Sequence, residues 1–372
     1  MLAGVEIAVL LILPAPANPD KPGIEGGIRT AAAQLRGSGP PVDLVQDYAG
    51  ARALMYDHDP YEVLTRAYAR VGLTWPAEHR STHPPTAFIL VLPVAWLPWR
   101  IGAAVWAVLM LAAIAAAWWA LGVPWEIASA LGPLTLLWPP AAWSIGQLTP
   151  VWLLGIALAW RWRDQPARAG AAIGVAALTK LLPAVSLVPF LLRRRVRSLA
   201  GFGIAVAIGV GVLLALGAGA VTRYLAVSAE TARDQAGRGE NAALLWAFGH
   251  QLGIAGVAVA LVLVGAVLAT SLTRMASEWT FWAWSWAGVA LLPIAWIYSL
   301  LPLLPVIVFC LRRGNVVAHV LVAVAIVVPM VIDPFGLPGA IQLACANAAA
   351  GLALLTIAYA PAATRLASEP AR

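Results

Sequence analysis

Two stretches, Ile101–Leu121 and Phe202–Leu216, run without one charged residue. A helical membrane span takes ~20 predominantly apolar residues, whereas a barrel strand is short and alternates apolar with polar positions. Uninterrupted runs therefore point to helices and exclude a barrel. The rest of the chain agrees: 61% of the 372 residues are hydrophobic and 11% charged, against roughly 45–50% and about 25% in soluble domains. No water-soluble core could hide that much apolar surface. The expected class is an all-α polytopic membrane protein, a single integral membrane domain over residues 1–372.

Net charge is +7, and of the 24 basic residues only Lys21 and Lys180 are lysines. Most arginines flank apolar runs, the pattern of cytoplasmic loops, so no nucleic-acid partner is implied. Cys310 and Cys345 lie inside apolar runs and read as small buried hydrophobes. Leu2–Ala17 resembles a signal peptide but has Glu6 and no basic start; it reads as a short first span. Further spans are expected at 86–98, 101–121, 125–139, 148–160, 169–192, 198–218, 255–270, 280–296, 299–311, 315–332 and 340–360, about eleven in all. Internal prolines such as Pro93, Pro183 and Pro302 predict broken helices, which need protein or a polar cavity around them. The segment 169–192 has arginines at both ends, Arg168 and Arg193–Arg195. One crossing would put these on opposite sides, so two half-helices turning near Lys180–Pro183 are expected.

Against this background one polar stretch stands out, Pro40–Pro85, with six acids: Asp43, Asp47, Asp57, Asp59, Glu62 and Glu78. It belongs to a first loop, residues 18–84, expected to be extracytoplasmic. Leu44, Ala51, Leu54 and Met55 recur near helical spacing, predicting an amphipathic interfacial helix over Asp43–Tyr56. Asp57 and Asp59 precede Pro60 and read as turn residues. His58, His79 and His83 are spaced too irregularly for a metal site. A second polar loop is expected over 219–244. Lys180 has eleven uncharged residues before it and twelve after, and an ionisable group so placed is by default functional. Asp333–Gly336 reads as a turn, and most of the 18 tryptophans as interfacial anchors, with Trp75 or Trp296 free to stack on a sugar.

Four local patterns occur in order. They are Asp43-Leu-Val-Gln-Asp-Tyr-Ala-Gly-Ala-Arg with Asp59-Pro-Tyr and His83-Pro-Pro; Gly146-Gln147 opening a span; Leu178-Thr-Lys180-Leu-Leu-Pro183 before an arginine cluster; and Pro293-Ile-Ala-Trp296-Ile-Tyr298 running into Leu301-Pro-Leu-Leu-Pro305. Together, over residues 40 to 310, they resemble glycosyltransferase family 87, the polyprenol-phosphate-mannose-dependent mannosyltransferases with the GT-C membrane fold. The resemblance implies transfer of a sugar, mannose first, from a polyprenyl-phosphate carrier to a lipid or glycan acceptor at the outer face of a bacterial plasma membrane, without a cofactor or metal. It also implies a carboxylate in the first loop as catalytic base. By motif position that is Asp43, with Asp47 one turn on and on the same face; both remain candidates, with Asp43 preferred.

That chemistry is coherent by itself. An acceptor hydroxyl needs a positioned base, and a departing phosphate needs cationic support. Lys180, Arg80, His83 and Gln147 are the candidates for the donor phosphate; Tyr48, Glu240, Asn241 and Tyr298 for the acceptor. Asn241 is followed by Ala242 where the family has Ser, which weakens that carry-over. Two other classes compete. A transporter or lipid flippase would also carry broken helices and a buried Lys, but an inverted repeat is not visible. A polymerase or ligase of O-antigen type would need a large late loop, and here the long polar segment is early.

Overall fold

The computed structural model describes residues 42–73, 79–135, 147–236, 241–274, 278–295, 297–330 and 339–359. The expected first span Leu2–Ala17, the turn at Asp333 and residues Trp75, Glu78, Gly146, Glu240 and Trp296 lie outside them. The regular structure of the described residues is all helix, with no strand among them. Four helices are long and apolar enough to cross a membrane: Trp99–Ala120, Arg197–Gly217, Leu244–Thr273 and Ala340–Tyr359. Pro85–Ala95, Leu182–Leu192 and Val316–Val327 are shorter apolar segments. The protein is therefore an all-α polytopic membrane protein.

In chain order the elements that build the site are α1 (Val42–Met55), α2 (Leu64–Arg70), α3 (Pro85–Ala95), α4 (Trp99–Ala120), α5 (Trp125–Leu134), α6 (Thr149–Arg161) and α7 (Pro166–Thr179). A 3₁₀ turn, Leu182–Leu187, leads into α8 (Val188–Leu192). They are followed by α9 (Arg197–Gly217), α10 (Gly219–Ala236), α11 (Leu244–Thr273) and α12 (Glu278–Ala290). A second 3₁₀ turn, Ile297–Leu303, enters α13 (Leu304–Arg313), and α14 (Val316–Val327) and α15 (Gly339–Tyr359) close the chain. Within α11, Gly253 takes φ 61°, ψ −148°, a conformation essentially reserved for glycine. The helix is thereby kinked between a short polar-flanked piece and the apolar stretch expected at 255–270.

The α7–α9 pair shows how small residues set helix spacing. A Cβ built on Gly170 would collide with the Ser198 carbonyl oxygen, and one on Gly201 with that of Ala167. Gly174 faces Phe202 and Ala205 in the same way. Backbones approach this closely only where side chains are absent, the usual device for helix pairs in lipid. Elsewhere α9 turns Leu199, Ile204, Ile208 and Leu214 outward, a face suited to acyl chains. Helices α12 and α15 are joined by buried indole N–H groups: Trp279 donates to the Leu354 carbonyl at 2.7 Å and Trp286 to that of Asn347 at 2.9 Å.

The expected break at Lys180–Pro183 is present. Pro183 has no N–H and its ring would collide with the carbonyl of Thr179 in a continued helix; α7 stops at Thr179, and Lys180 is extended at φ −155°, ψ 146°. The chain then folds back along α7, so that Arg195 donates to the Arg163 carbonyl and lies 3.7 Å from Asp164. Residues 166–192 thus form a re-entrant hairpin with both arginine clusters at one end and Lys180 at the tip. Arg161 stacks over Trp119 at that same arginine end.

Two expectations change. The helix at Asp43–Tyr56 forms but is no surface helix: Leu44 through Ala51 are buried continuously on every face. The acid-rich segment is inserted among α3, α4 and α2, with Phe88 against the place where a Gly50 Cβ would be. The polar stretch at 219–244 is mostly helix, α10, whose charged face carries Arg223, Glu230 and Arg233. Spacing reported the first helix but not what packs over it, and the polar composition of 219–244 read as a loop where a helix forms.

Candidate active site

Five polar side chains from four separate parts of the chain meet at the hairpin tip. Asp43 and Asp47 come from α1, His83 from the turn before α3, Lys180 from the break after α7 and Tyr298 from the second 3₁₀ turn. Asp47 is wholly buried and its Oδ1 is 2.7 Å from His83 Nδ1, with His83 6% exposed. Asp43 Oδ1 accepts from Gln46 at 3.1 Å, and Tyr298 presents its hydroxyl to the Asp43 carboxylate. Lys180 Nζ lies 5.5 Å from the Tyr298 ring centroid and within electrostatic range of both carboxylates. Asp43 Oδ2 and Asp47 Oδ2 are buried with no hydrogen-bond partner among the described residues.

Local structure explains each placement. The Tyr61 hydroxyl donates to the His83 carbonyl at 2.8 Å, and the His83 N–H reaches Ser81 Oγ, fixing the turn that aims the ring at Asp47. Thr86 Oγ1 donates to the Leu178 carbonyl at 2.8 Å, tying α3 to the end of α7 beside Lys180. Asn241 Oδ1 accepts from the Ala243 and Ala295 N–H groups and its amide donates to the Pro293 carbonyl. That clasp holds the strand of chain leading to Tyr298.

Burial raises the Asp43 pKa, with the neighbouring Asp47 adding to the shift and the positive charges of His83 and Lys180 opposing it. Burial alone would lower His83; the Coulombic pull of Asp47 and its hydrogen bond override this and raise it. The result is a carboxylate that takes up a proton more readily than usual beside an imidazole that holds one longer.

Other expected residues have different partners. The Tyr48 hydroxyl donates to the Leu97 carbonyl at 2.6 Å and its ring meets Trp99, placing it in the packing of α1 on α4. Arg80 donates to the Tyr61 carbonyl at 2.6 Å. Asp59 accepts from the Tyr61 N–H and pairs with Arg223 at 3.3 Å, and Asp57 has φ 56°, both as turn residues do. Asn241 acts through backbone. No cluster of three metal-ligating side chains occurs among the described residues. Gln147, just before α6, is 1% exposed with both amide atoms unpartnered, and so is the Thr149 hydroxyl, to which sequence reading assigned nothing.

Two buried carboxylates, an imidazole and a lysine thus meet at a helix break in a helical membrane bundle. A model of glycosyltransferase family 87 matches residues 82–296. The chain belongs to this family. No curated protein and no solved structure matches it. The matched segment of this family 87 glycosyltransferase takes in His83, Gln147 and Lys180; Tyr298 falls just past its end, and Asp43 and Asp47 lie well before its start, so their place in the site rests on the geometry above.

Proposed function

We propose that this family 87 glycosyltransferase moves a sugar, mannose first, from a polyprenyl-phosphate carrier to a lipid or glycan acceptor on the extracytoplasmic face of the plasma membrane. The convergence of Asp43, Asp47, His83, Lys180 and Tyr298 carries the reading, because it supplies both halves of the chemistry at one place. Asp43 takes the proton from an acceptor hydroxyl as that oxygen bonds the anomeric carbon. The carbon–oxygen bond to phosphate breaks, and the carrier phosphate leaves with the electron pair. Lys180 and the imidazole of His83, held by Asp47, offset its charge. A carboxylate whose pKa is raised is the stronger base for this step.

The surroundings support a lipid donor. Leu181, beside Lys180, is 78% exposed and gives an apolar surface next to the proposed phosphate position. Arginines gather at the far end of the α6–α7 and α7–α9 pairs, which makes that end cytoplasmic by charge and the Lys180 end extracytoplasmic. The alternative, a flippase or transporter, leaves a base held among cations without a task. Purified protein in detergent, given polyprenyl-phosphate mannose with radiolabelled sugar and a membrane-lipid acceptor extract, should release free carrier phosphate and label the acceptor fraction. Binding of the donor with no transfer to any acceptor would favour the transporter reading.

A further inference from the structure

The start of α6 carries buried groups that the proposed mechanism leaves idle. Gln147 Nε2 and Oε1, Thr149 Oγ1 and Trp152 Nε1 all lack hydrogen-bond partners among the described residues, and their residues are 1%, 2% and 1% exposed. Thr149 and Trp152 are three residues apart and share a helix face. Buried polar atoms are paired in the great majority of cases, and leaving one unpaired costs stability. Four such atoms within six residues are the mark of a site whose partner is a ligand.

Geometry puts this group beside Lys180. Helices α6 and α7 are joined by the short turn at Trp162–Gln165 and run antiparallel. A Cβ built on Gly155 would meet Ala172 and Ala176, at 2.8 and 2.7 Å. Thr149 lies six residues, about 9 Å, back along α6 from that contact, and Lys180 about 9 Å onward along α7, toward the same end. A second contact agrees. A Cβ on Gly288 of α12 would stand 3.8 Å from Trp152 Cζ2 and 3.2 Å from the Leu182 carbonyl oxygen, two residues past Lys180. The 3₁₀ turn bearing Tyr298 also packs on α6.

The donor and acceptor character of the atoms identifies the ligand. A phosphate oxygen only accepts hydrogen bonds, so it could serve Gln147 Nε2 or Trp152 Nε1 but not Gln147 Oε1. A hydroxyl donates and accepts, and several hydroxyls on one ring match a carboxamide, a hydroxyl and an indole N–H together. We propose that Gln147, Thr149 and Trp152 form the subsite that reads the hydroxyls of the donor's sugar, adjoining the Lys180 position where its phosphate rests. The assignment rests on the glycosyltransferase reading above and moves Gln147 from the phosphate to the sugar.

The test is binding of four lipids to full-length protein in detergent: undecaprenyl phosphate, bare or carrying mannose, glucose or arabinose. Wild type should prefer at least one sugar-loaded carrier over the bare one. Thr149→Val and Gln147→Leu should each weaken the preferred carrier about five- to ten-fold, the range of one lost neutral hydrogen bond, and leave the bare carrier unchanged. Thr149→Val keeps shape and removes an unpaired hydroxyl, so its melting temperature should hold or rise. Equal weakening of bare and loaded carriers would overturn the sugar assignment in favour of a phosphate contact. Unchanged binding, or a fall in melting temperature with unchanged preference, would make these groups structural and overturn it too. If wild type prefers no loaded carrier, the donor proposed for the enzyme itself fails, an outcome separate from the variants' behaviour.

Discussion

The two ends of α7 differ in almost every physical respect. At the Pro166 end, Gly170 meets Ser198 of α9, and Ala167 meets Gly201, with no room for a methyl group. At the Thr179 end the helix is cut short by Pro183, and Lys180 faces carboxylates with unpartnered oxygens. One end is saturated with contact and carries no chemistry. The other holds polar groups in a costly, incompletely paired state. Stability and reactivity are thus separated by the length of one 14-residue helix, about 21 Å, and the saturated end supports the unsatisfied one.

That contrast can be broken from either side. The largest effect is expected at the saturated end. Gly201→Leu drives a side chain into the Ala167 carbonyl, where backbone has no way to yield, and overpacking of even ordinary cores costs 1–3 kcal/mol or more. Monodisperse protein should be lost on size-exclusion chromatography. Recovery at wild-type yield would show that the α7–α9 contact is not tight.

At the other end, Lys180→Met keeps the apolar stem and removes the charge. Donor affinity should fall 10-fold or more, since charge-assisted hydrogen bonds contribute roughly 1.5–3 kcal/mol. Melting temperature should hold or rise. A drop in melting temperature with donor affinity intact would make Lys180 part of the saturated, structural region. The same variant should move the acidic limb of the pH–rate profile upward, because the Lys180 charge opposes the rise of the Asp43 pKa.

A smaller effect concerns Asp47 and His83. The His83 pKa is raised in the folded protein, so the pair contributes stability that is complete below the usual His value of ~6.5. This contribution fades as pH rises through the higher folded value. Melting temperature followed from pH 6 upward should show that loss in wild type and a flatter profile in Asp47→Asn. Equal slopes would mean that Asp47 is not what raises the His83 pKa.

The sequence announced some of this plainly. A lone lysine amid 23 uncharged residues, followed by a proline, told both where a charge is buried and where a helix breaks. The acids of the first loop were visible because the rest is so apolar. Thr149 and Trp152 were not, since a hydroxyl and an indole in an apolar run look like any span; only the absence of partners singles them out. Asn241 stood out in sequence as an acceptor ligand, yet two of its three backbone hydrogen bonds are to Pro293 and Ala295, more than fifty positions away. The burial of α1 was equally hidden, because helical spacing is the same whether one face is covered or all.

The claim that the unsatisfied end is an active site meets its most direct test at Asp43. Asp43→Asn preserves shape and removes the base, and loss of a general base typically costs 10²–10⁴-fold. Sugar transfer from polyprenyl-phosphate mannose and melting temperature should be measured on the same preparation. The account predicts transfer reduced by at least 100-fold, with a melting temperature at or above wild type, since burial already disfavours the charged carboxylate. Transfer within three-fold of wild type, with or without a lower melting temperature, would contradict it.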